Sequence, residues 1–366
     1  MNKLIFIKKE NIKPLLEKVS KNNDFYLPLQ DKKSGLVDFY NVSFMGEDYI
    51  INLKEKTKKS PKSIFFQPTQ EMFEFEYVKD ENKPDLVQIN LKEKSNNFEK
   101  GLRKKIIFGL KPCDTIGIKS LDLVFGEGER KDPYYLQRRS GSILISIGCH
   151  LIFPDCFCMA VGGNPFNFDY SDLGLIDMDD YFAVLKKSEN TKVEEFLKEY
   201  KEFFEEKNFD EETENRIKEI ISRSGEKCNL NWEKINADET SITMDKSFKD
   251  EKTWRKITQK CISCAACTYV CPTCVCFSIG DELKDLSGER YKCWDFCTNY
   301  YYTLEASGHN PRSEIYQRYR NKINCKYNYF YKRNKNLYCV GCGRCVDVCP
   351  VGMDIREIVG TFLKDK

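Results

Sequence analysis

One cysteine pattern is written twice in this chain. Cys261, Cys264, Cys267 and Cys271, followed by Pro272, spell C-x2-C-x2-C-x3-C-P; Cys339, Cys342, Cys345 and Cys349, followed by Pro350, spell it again. Three thiolates at three-residue intervals can grip three corners of a 4Fe-4S cubane from one loop. The fourth cysteine, after a longer step, is carried away and ligates the other cluster. The expected ligand sets are therefore crossed: Cys261, Cys264, Cys267 and Cys349 on one cluster, Cys339, Cys342, Cys345 and Cys271 on the other. Zinc sites also use paired cysteines, but as separated C-x2-C pairs without the third cysteine and the C-P ending.

Eighteen cysteines would read as a disulfide framework in a small secreted domain. In a chain of 366 residues whose N-terminus, MNKLIFIKKENIK, has an apolar run of only four, the expectation is a cytoplasmic protein with thiols kept for metal or redox chemistry. The longest apolar stretch, SGSILISIGCHLIF, falls short of the roughly 18 residues that span a bilayer, so no membrane segment is expected. Lys and Arg total 59 against 57 Asp and Glu, and this balance supplies no general attraction to nucleic acid.

From about residue 63 to 150 short β-rich runs alternate with helical ones: SIFFQ (63–67), VQINL (87–91), KKIIFGL (104–110), TIGIKSLDLVF (115–125) and SILISIG (142–148). That order reads as α/β. Thr191 and Glu194 form a capping box before a helix whose apolar face holds Val193, Phe196, Leu197, Tyr200, Phe203 and Phe204. The polar stretch SRSGEKCNLNWEKINADETS (222–241) marks a boundary. The expected organisation is an α/β domain over 1–225, a linker over 226–250 and a mostly helical two-cluster ferredoxin domain over 251–366. Sixty-seven residues lie between Cys271 and Cys339, and the aromatic segment from Tyr300 to Asn334 reads as one or two helices filling that insert.

Four further cysteines converge by a topological argument. If the runs at 104–110 and 142–148 are parallel strands, their C-terminal ends share one sheet edge, where α/β folds place ligands. Cys113 and Cys149 then meet there, with Cys156 and Cys158 on the following loop, and a third 4Fe-4S cluster is expected. Cys228 and Cys325 read as packing residues. Cys274, Cys276, Cys293 and Cys297 read as thiols tuning a neighbouring cluster rather than as a site of their own.

From Arg312 to Lys335 there are eight Lys or Arg and one acid, interleaved with tyrosines. Such a stretch suits an acidic redox partner or offsets the negative charge of thiolate-bound clusters; a nucleic-acid surface is not expected. His309, in SGHNPR, reads as a turn residue, and His150 adjoins Cys149. No G-x-G-x-x-G, Walker or metalloprotease motif is present.

The chain resembles the iron-sulfur electron-transfer component of anaerobic sulfite reductases and the related β subunit of soluble sulfhydrogenases. KPCD, SLDLVF, YYLQRRSGSILISIGC, DCFCMAVGGNPF, CISCAACTYVCPTCVCF, CWDFC, SGHNPR and CVGCGRCVDVCP carry the likeness, from about residue 60 to the C-terminus. Ala265 and Ala266 stand where the family often has Gly and a basic or polar residue, and Ser307 where Gly is common. The resemblance implies a hetero-oligomeric electron relay between a flavin subunit that oxidises NAD(P)H and a catalytic oxidoreductase subunit such as sulfite reductase or hydrogenase. A cluster-based oxygen or metal sensor, or a relay in another flavin-linked bifurcating complex, is the alternative reading.

Overall fold

The computed structural model describes residues 3–44, 46–80, 82–83, 86–92, 103–187 and 190–364. The strands in chain order are β1 (Lys3–Lys8), β2 (Asp24–Asp31), β3 (Val37–Asn41), β4 (Tyr49–Ile51), β5 (Thr69–Lys79), β6 (Val87–Lys92) and β7 (Lys105–Leu110). They continue with β8 (Ile143–Ile147), β9 (Leu173–Asp177), β10 (Tyr181–Lys186), β11 (Glu205–Asn208), β12 (Phe277–Lys284) and β13 (Ser287–Trp294).

Nine strands form one mixed sheet in the order β11-β1-β10-β9-β8-β7-β2-β3, with β4 paired to β2. Its centre, β2, β7, β8 and β9, is parallel. β7 and β8 are buried along their whole length because both faces are covered, which is why each reads as a continuous apolar run rather than an alternating one. Ile106, Phe108, Ile143, Ile145 and Ile147 pack on one face with Leu15, Leu16 and Phe196. Ile107, Leu110 and Leu144 pack on the other with Ile118, Leu121, Phe65 and Phe66. The register of β7 shifts between Phe108 and Leu110, at Gly109, whose φ of +85° and close approach to Pro28 exclude a side chain. This bulge bends the strand end that leads into Cys113.

Several expectations are corrected. SIFFQ is not a strand; Pro61–Ile64 is a 3-10 turn that buries Phe65 and Phe66 behind it. The helix Thr191–Glu199 is capped by Asn190, whose side chain accepts from Lys192 N, rather than by Thr191. Residues 226–250, expected as a linker, are largely helical: the helix Glu211–Asn229 ends there, followed by Ala237–Lys246 and a short 3-10 turn. The insert between the motifs does contain helix over Ile315–Asn324 and Phe330–Asn334, joined by a π-bulge at Cys325–Tyr329. It opens, however, with the hairpin β12–β13, so it is not simply helical.

That hairpin joins a four-stranded antiparallel sheet in the order β12-β13-β5-β6. Strands from the two ends of the chain thus share one sheet, with Gly288 opposite Phe75 and Cys293 opposite Thr69. A separate core beneath the cysteine motifs holds Trp254, Tyr316, Tyr319, Ile323, Tyr327, Val359 and Phe362. No helix among the described residues is long and apolar enough to cross a membrane.

Candidate metal centres

The two motif loops have the same backbone. In each, the third and fifth residues take left-handed φ: +55° at Ser263 and +61° at Ala265, +63° at Gly341 and +73° at Gly343. A one-turn helix follows in both, Ala266–Tyr269 and Arg344–Asp347. Reversing the chain twice within five residues wraps the first three thiols around one space, and the helix then lifts the fourth away. The glycines of the second loop serve a further purpose: a Cβ at Gly341 would stand 2.5 Å from Cys158 Cα, and one at Gly343 would stand 2.2 Å from Asp155 O. Ala265 takes the left-handed conformation with a side chain, at a cost of roughly 1–2 kcal/mol. Ala265→Gly is therefore expected to stabilise the protein by about 1 kcal/mol, read as a higher denaturation midpoint under anaerobic conditions; an unchanged or lower midpoint would show the strain to be absent.

Three cavities are lined by thiols. Cys261, Cys264, Cys267 and Cys349 line the first, with Thr298 and Tyr319. Cys271, Cys339, Cys342 and Cys345 line the second, together with Cys267, Lys322 and Lys326. The third is lined by Cys113, Cys149, Cys156 and Cys158, with Cys342, Lys56 and Lys111. Cys271 therefore lines the cavity of the second motif and Cys349 that of the first. Cys113 opens the helix after β7, and Cys149 lies two residues past β8, so parallel strand ends bring them to one edge. Among the described residues no three His, Cys, Asp or Glu side chains converge as a single metal ion would need. The thiols surround spaces instead.

A family profile described as a 4Fe-4S dicluster domain matches residues 260–353. Over 307 residues the chain is 32% identical to Sulfhydrogenase 2 subunit beta of Pyrococcus furiosus, covering 83% of each protein. The chain belongs to the sulfhydrogenase β subunit family. It is an iron-sulfur electron-transfer subunit, and its cavities can be tested against that chemistry.

Buried charge fits iron-sulfur clusters in this family member. Burial pulls Lys322 down, but the Cys267 thiol, Tyr319 and the Cys345 thiol outweigh it and hold the ammonium well above its usual value. Lys326 is treated likewise by Cys271, Cys274 and Cys325. Both lysines are almost fully buried, which would be costly beside neutral groups but not beside thiolate-ligated clusters. With Arg318 they recur every four residues on one helix face, so three cations of the basic stretch point inward. The π-bulge then turns Lys326 toward Thr273, 2.7 Å from its hydroxyl. Burial pushes the thiols of Cys113, Cys342 and Cys345 up, Cys149 to about 12 and Cys339 to about 11; soft metal ligation is what offsets such a penalty. Thr298 Oγ1, buried in the wall of the first cavity, has no hydrogen-bond partner among the described residues and is free to donate to a thiolate or sulfide.

Between the second and third cavities lies a cationic seam that sequence reading missed. Arg344 Nη1 pairs with Asp114 Oδ1 at 2.7 Å, both side chains 1% exposed. Lys56 pairs with Asp155 and donates to Cys342 O at 3.0 Å. The adjacent G-R and C-D dipeptides of CVGCGRC and KPCD were visible, but nothing local said they would meet.

Among the remaining thiols, Cys228 and Cys293 are placed differently from expectation. Cys228 is not a bystander: its Sγ lies 3.7 Å from that of Cys158. Cys274 hydrogen-bonds Cys271. Cys293 turns away to Thr69, 3.7 Å distant. His150 Nε2 accepts from Asp177 N at 3.2 Å, and His309 closes a turn by accepting at its carbonyl from Glu305 N at 2.9 Å.

Proposed function

We propose that this protein relays single electrons along three 4Fe-4S clusters in a line, between a flavin-containing subunit that oxidises NAD(P)H and a catalytic oxidoreductase subunit such as sulfite reductase or hydrogenase. In this reading Cys113, Cys149, Cys156 and Cys158 hold one end cluster, Cys271, Cys339, Cys342 and Cys345 the middle one, and Cys261, Cys264, Cys267 and Cys349 the other end. Residues 1–225 carry the first station and 251–366 the other two. The bound clusters supply one-electron chemistry at potentials set by charge, hydrogen bonds and exposure; the chain sets their order and their insulation.

One observation carries the reading: neighbouring cavities share a wall, Cys342 between the third and second, Cys267 between the second and first. The middle cavity is enclosed by buried Phe157, Pro272, Val340 and Ile355. Both ends reach the surface at an exposed apolar residue, Leu151 (49% exposed) at one and Ile262 (60%) beside exposed Cys264 at the other. A relay serving two partners needs that arrangement, with a docking surface at each end.

Anaerobically prepared protein is expected to hold about 12 irons and matching sulfide. Cys113→Ser and Cys149→Ser in the full chain should each lower that to about 8 and remove one reduced-cluster EPR signal. An iron content already near 8 in the parent, unchanged by either substitution, would reduce the relay to two stations. Stoichiometric zinc without sulfide would end the cluster reading. The full chain is the right object, because β5 pairs with β13 and Asp114 with Arg344 across any cut. Partners are read by crosslinking and mass spectrometry of the native complex.

A further inference from the structure

Two buried lysines line the middle cavity without a carboxylate to answer them. Lys322 and Lys326 are 2% and 3% exposed and stand in its wall with Cys267, Cys271 and Cys345. Among the described residues neither forms an ion pair with Asp or Glu. The cations of the seam toward the third cavity differ, since Arg344 brings Asp114 with it and Lys56 brings Asp155. Among the described residues no lysine or arginine lines the first cavity. Arg318, one turn before Lys322, gives its guanidinium to the carbonyls of Thr298, Arg312 and Ser313 and stays outside that lining. Uncompensated positive charge is thus delivered to the most enclosed of the three sites by two adjacent turns of one helix.

Of the two, Lys326 is tied to a particular thiol. Its ammonium donates to Thr273 Oγ1 at 2.7 Å. That hydroxyl lies 3.5 Å from Cys271 Sγ and donates to Tyr338 O at 2.7 Å. The Tyr338 ring faces the same ammonium, 4.2 Å from it to the centroid, and Tyr338 N donates to Lys326 O at 2.9 Å. Hydroxyl, ring and backbone together hold the charge in one place. Lys322 lines the middle cavity beside Cys267, which the first cavity also uses, so its charge is shared between two sites. Lys62 is spent elsewhere: it donates to Cys274 O at 3.0 Å, lies over the Trp294 ring and lines none of the cavities.

An enclosed cluster resists reduction, because the added electron places one more negative charge where water cannot screen it. In a line of three, that resistance would make the middle station a barrier between two ends that reach the surface. We propose that Lys326, held by Thr273 against Cys271, removes this barrier: its fixed charge raises the potential of the middle cluster, with Lys322 in support, so that electrons pass through the buried station instead of stopping before it. Lys326 ligates nothing and exchanges no proton. One electron arrives from the neighbouring cluster and the same electron leaves for the next, while the ammonium keeps its charge throughout. The inference rests on the relay reading for a cluster held by Cys271, Cys339, Cys342 and Cys345, and it does not need the third cluster.

The test is a reductive titration of the anaerobic full-length holoprotein followed by EPR, with the middle signal identified as the one that Cys271→Ser removes. Lys326→Met is expected to keep the iron, the sulfide and every signal of the parent. At a fixed potential its ratio of reduced to oxidised middle cluster should fall by about tenfold or more, which for one electron is about 59 mV. Lys326→Arg, which retains the charge, should recover most of that ratio. Thr273→Val, nearly isosteric and without change of charge, should lower it in the same direction by removing the hydroxyl between Lys326 and Cys271; it carries the test if Lys326→Met loses iron. A middle midpoint that neither Lys326→Met nor Thr273→Val moves, equal shifts of all signals, or equal effects of Met and Arg at position 326 would overturn the proposal and leave the relay standing. A parent without iron and sulfide, or a Cys271→Ser protein that loses no signal, would instead end the relay reading and this inference with it.

Discussion

Cys271→Ser is expected to remove the cluster surrounded by Cys339, Cys342 and Cys345 and to spare the one beside its own sequence neighbours. Cys271 lines the cavity of the second motif, and the first cavity is completed by Cys349. A serine hydroxyl is a poor replacement for a soft thiolate, and this position is further committed: Cys274 hydrogen-bonds the Cys271 sulfur, and Lys326 and Thr273 add to the effect, holding that thiol well below its usual value. Iron should fall by about a third, roughly four atoms of about twelve, and one of the overlapping EPR signals should vanish. Cys349→Ser should have the reverse pattern. Loss confined to the Cys261 site on changing Cys271 would show the crossing to be wrong. Because the middle cavity shares walls with both others, its loss should also interrupt transfer from end to end, whereas loss of an end cluster interrupts delivery to one partner.

Arg344→Met is expected to destabilise the protein by about 3–5 kcal/mol, the usual cost of breaking a buried ion pair by removing one side. Arg344 gives Nε to Thr57 O at 2.8 Å and Nη2 to Thr57 Oγ1 at 3.0 Å, besides its pair with Asp114. Asp114 in turn accepts Lys111 N at 3.1 Å and so caps the helix that begins next to Cys113. The substitution therefore strips a carboxylate of its paired cation between residues that flank two of the thiol-lined cavities. Asp114→Asn on top of it should recover part of the loss, a coupling within the roughly 0.5–3 kcal/mol typical of residues in contact. Anaerobic denaturant titration measures both variants, with iron counted first so that cluster loss is not mistaken for loss of packing. Strict additivity of the two changes would rule out the coupling.

The cysteine motifs were legible because their information is local. Ligand spacing is a property of one loop, and the left-handed turns that wrap it are tolerated by Ser263 and Ala265 as well as by Gly341 and Gly343. The meeting of Cys113 and Cys149 was legible for a related reason: strands buried on both faces are written as unbroken apolar runs, and parallel strands put their C-terminal ends together. The hairpin β12–β13 was not legible. Its residues FSIGDELK and SGERYKCW carry little apolar alternation, because β12 is largely exposed, and its partner β5 lies some two hundred residues away. The stretch 222–241 was polar yet helical, since Ile217, Ser224 and Cys228 bury one sparse stripe of an otherwise solvated helix. Arg318, Lys322 and Lys326 had a readable signal in their four-residue spacing, but a stripe of cations ordinarily faces water.

Thiol type and spacing along single segments of chain carry the chemistry of the ligands, their division between two loops and the expected crossing of the fourth cysteines. It takes the folded chain to bring the three cavities together through Cys342 and Cys267 and to seat Arg344 on Asp114. Those approaches depend on backbones from distant segments coming closer than a Cβ allows, as Gly341 does to Cys158 and Gly117 to Pro272. Such closeness is set by how whole elements pack, and no local pattern of residues records it.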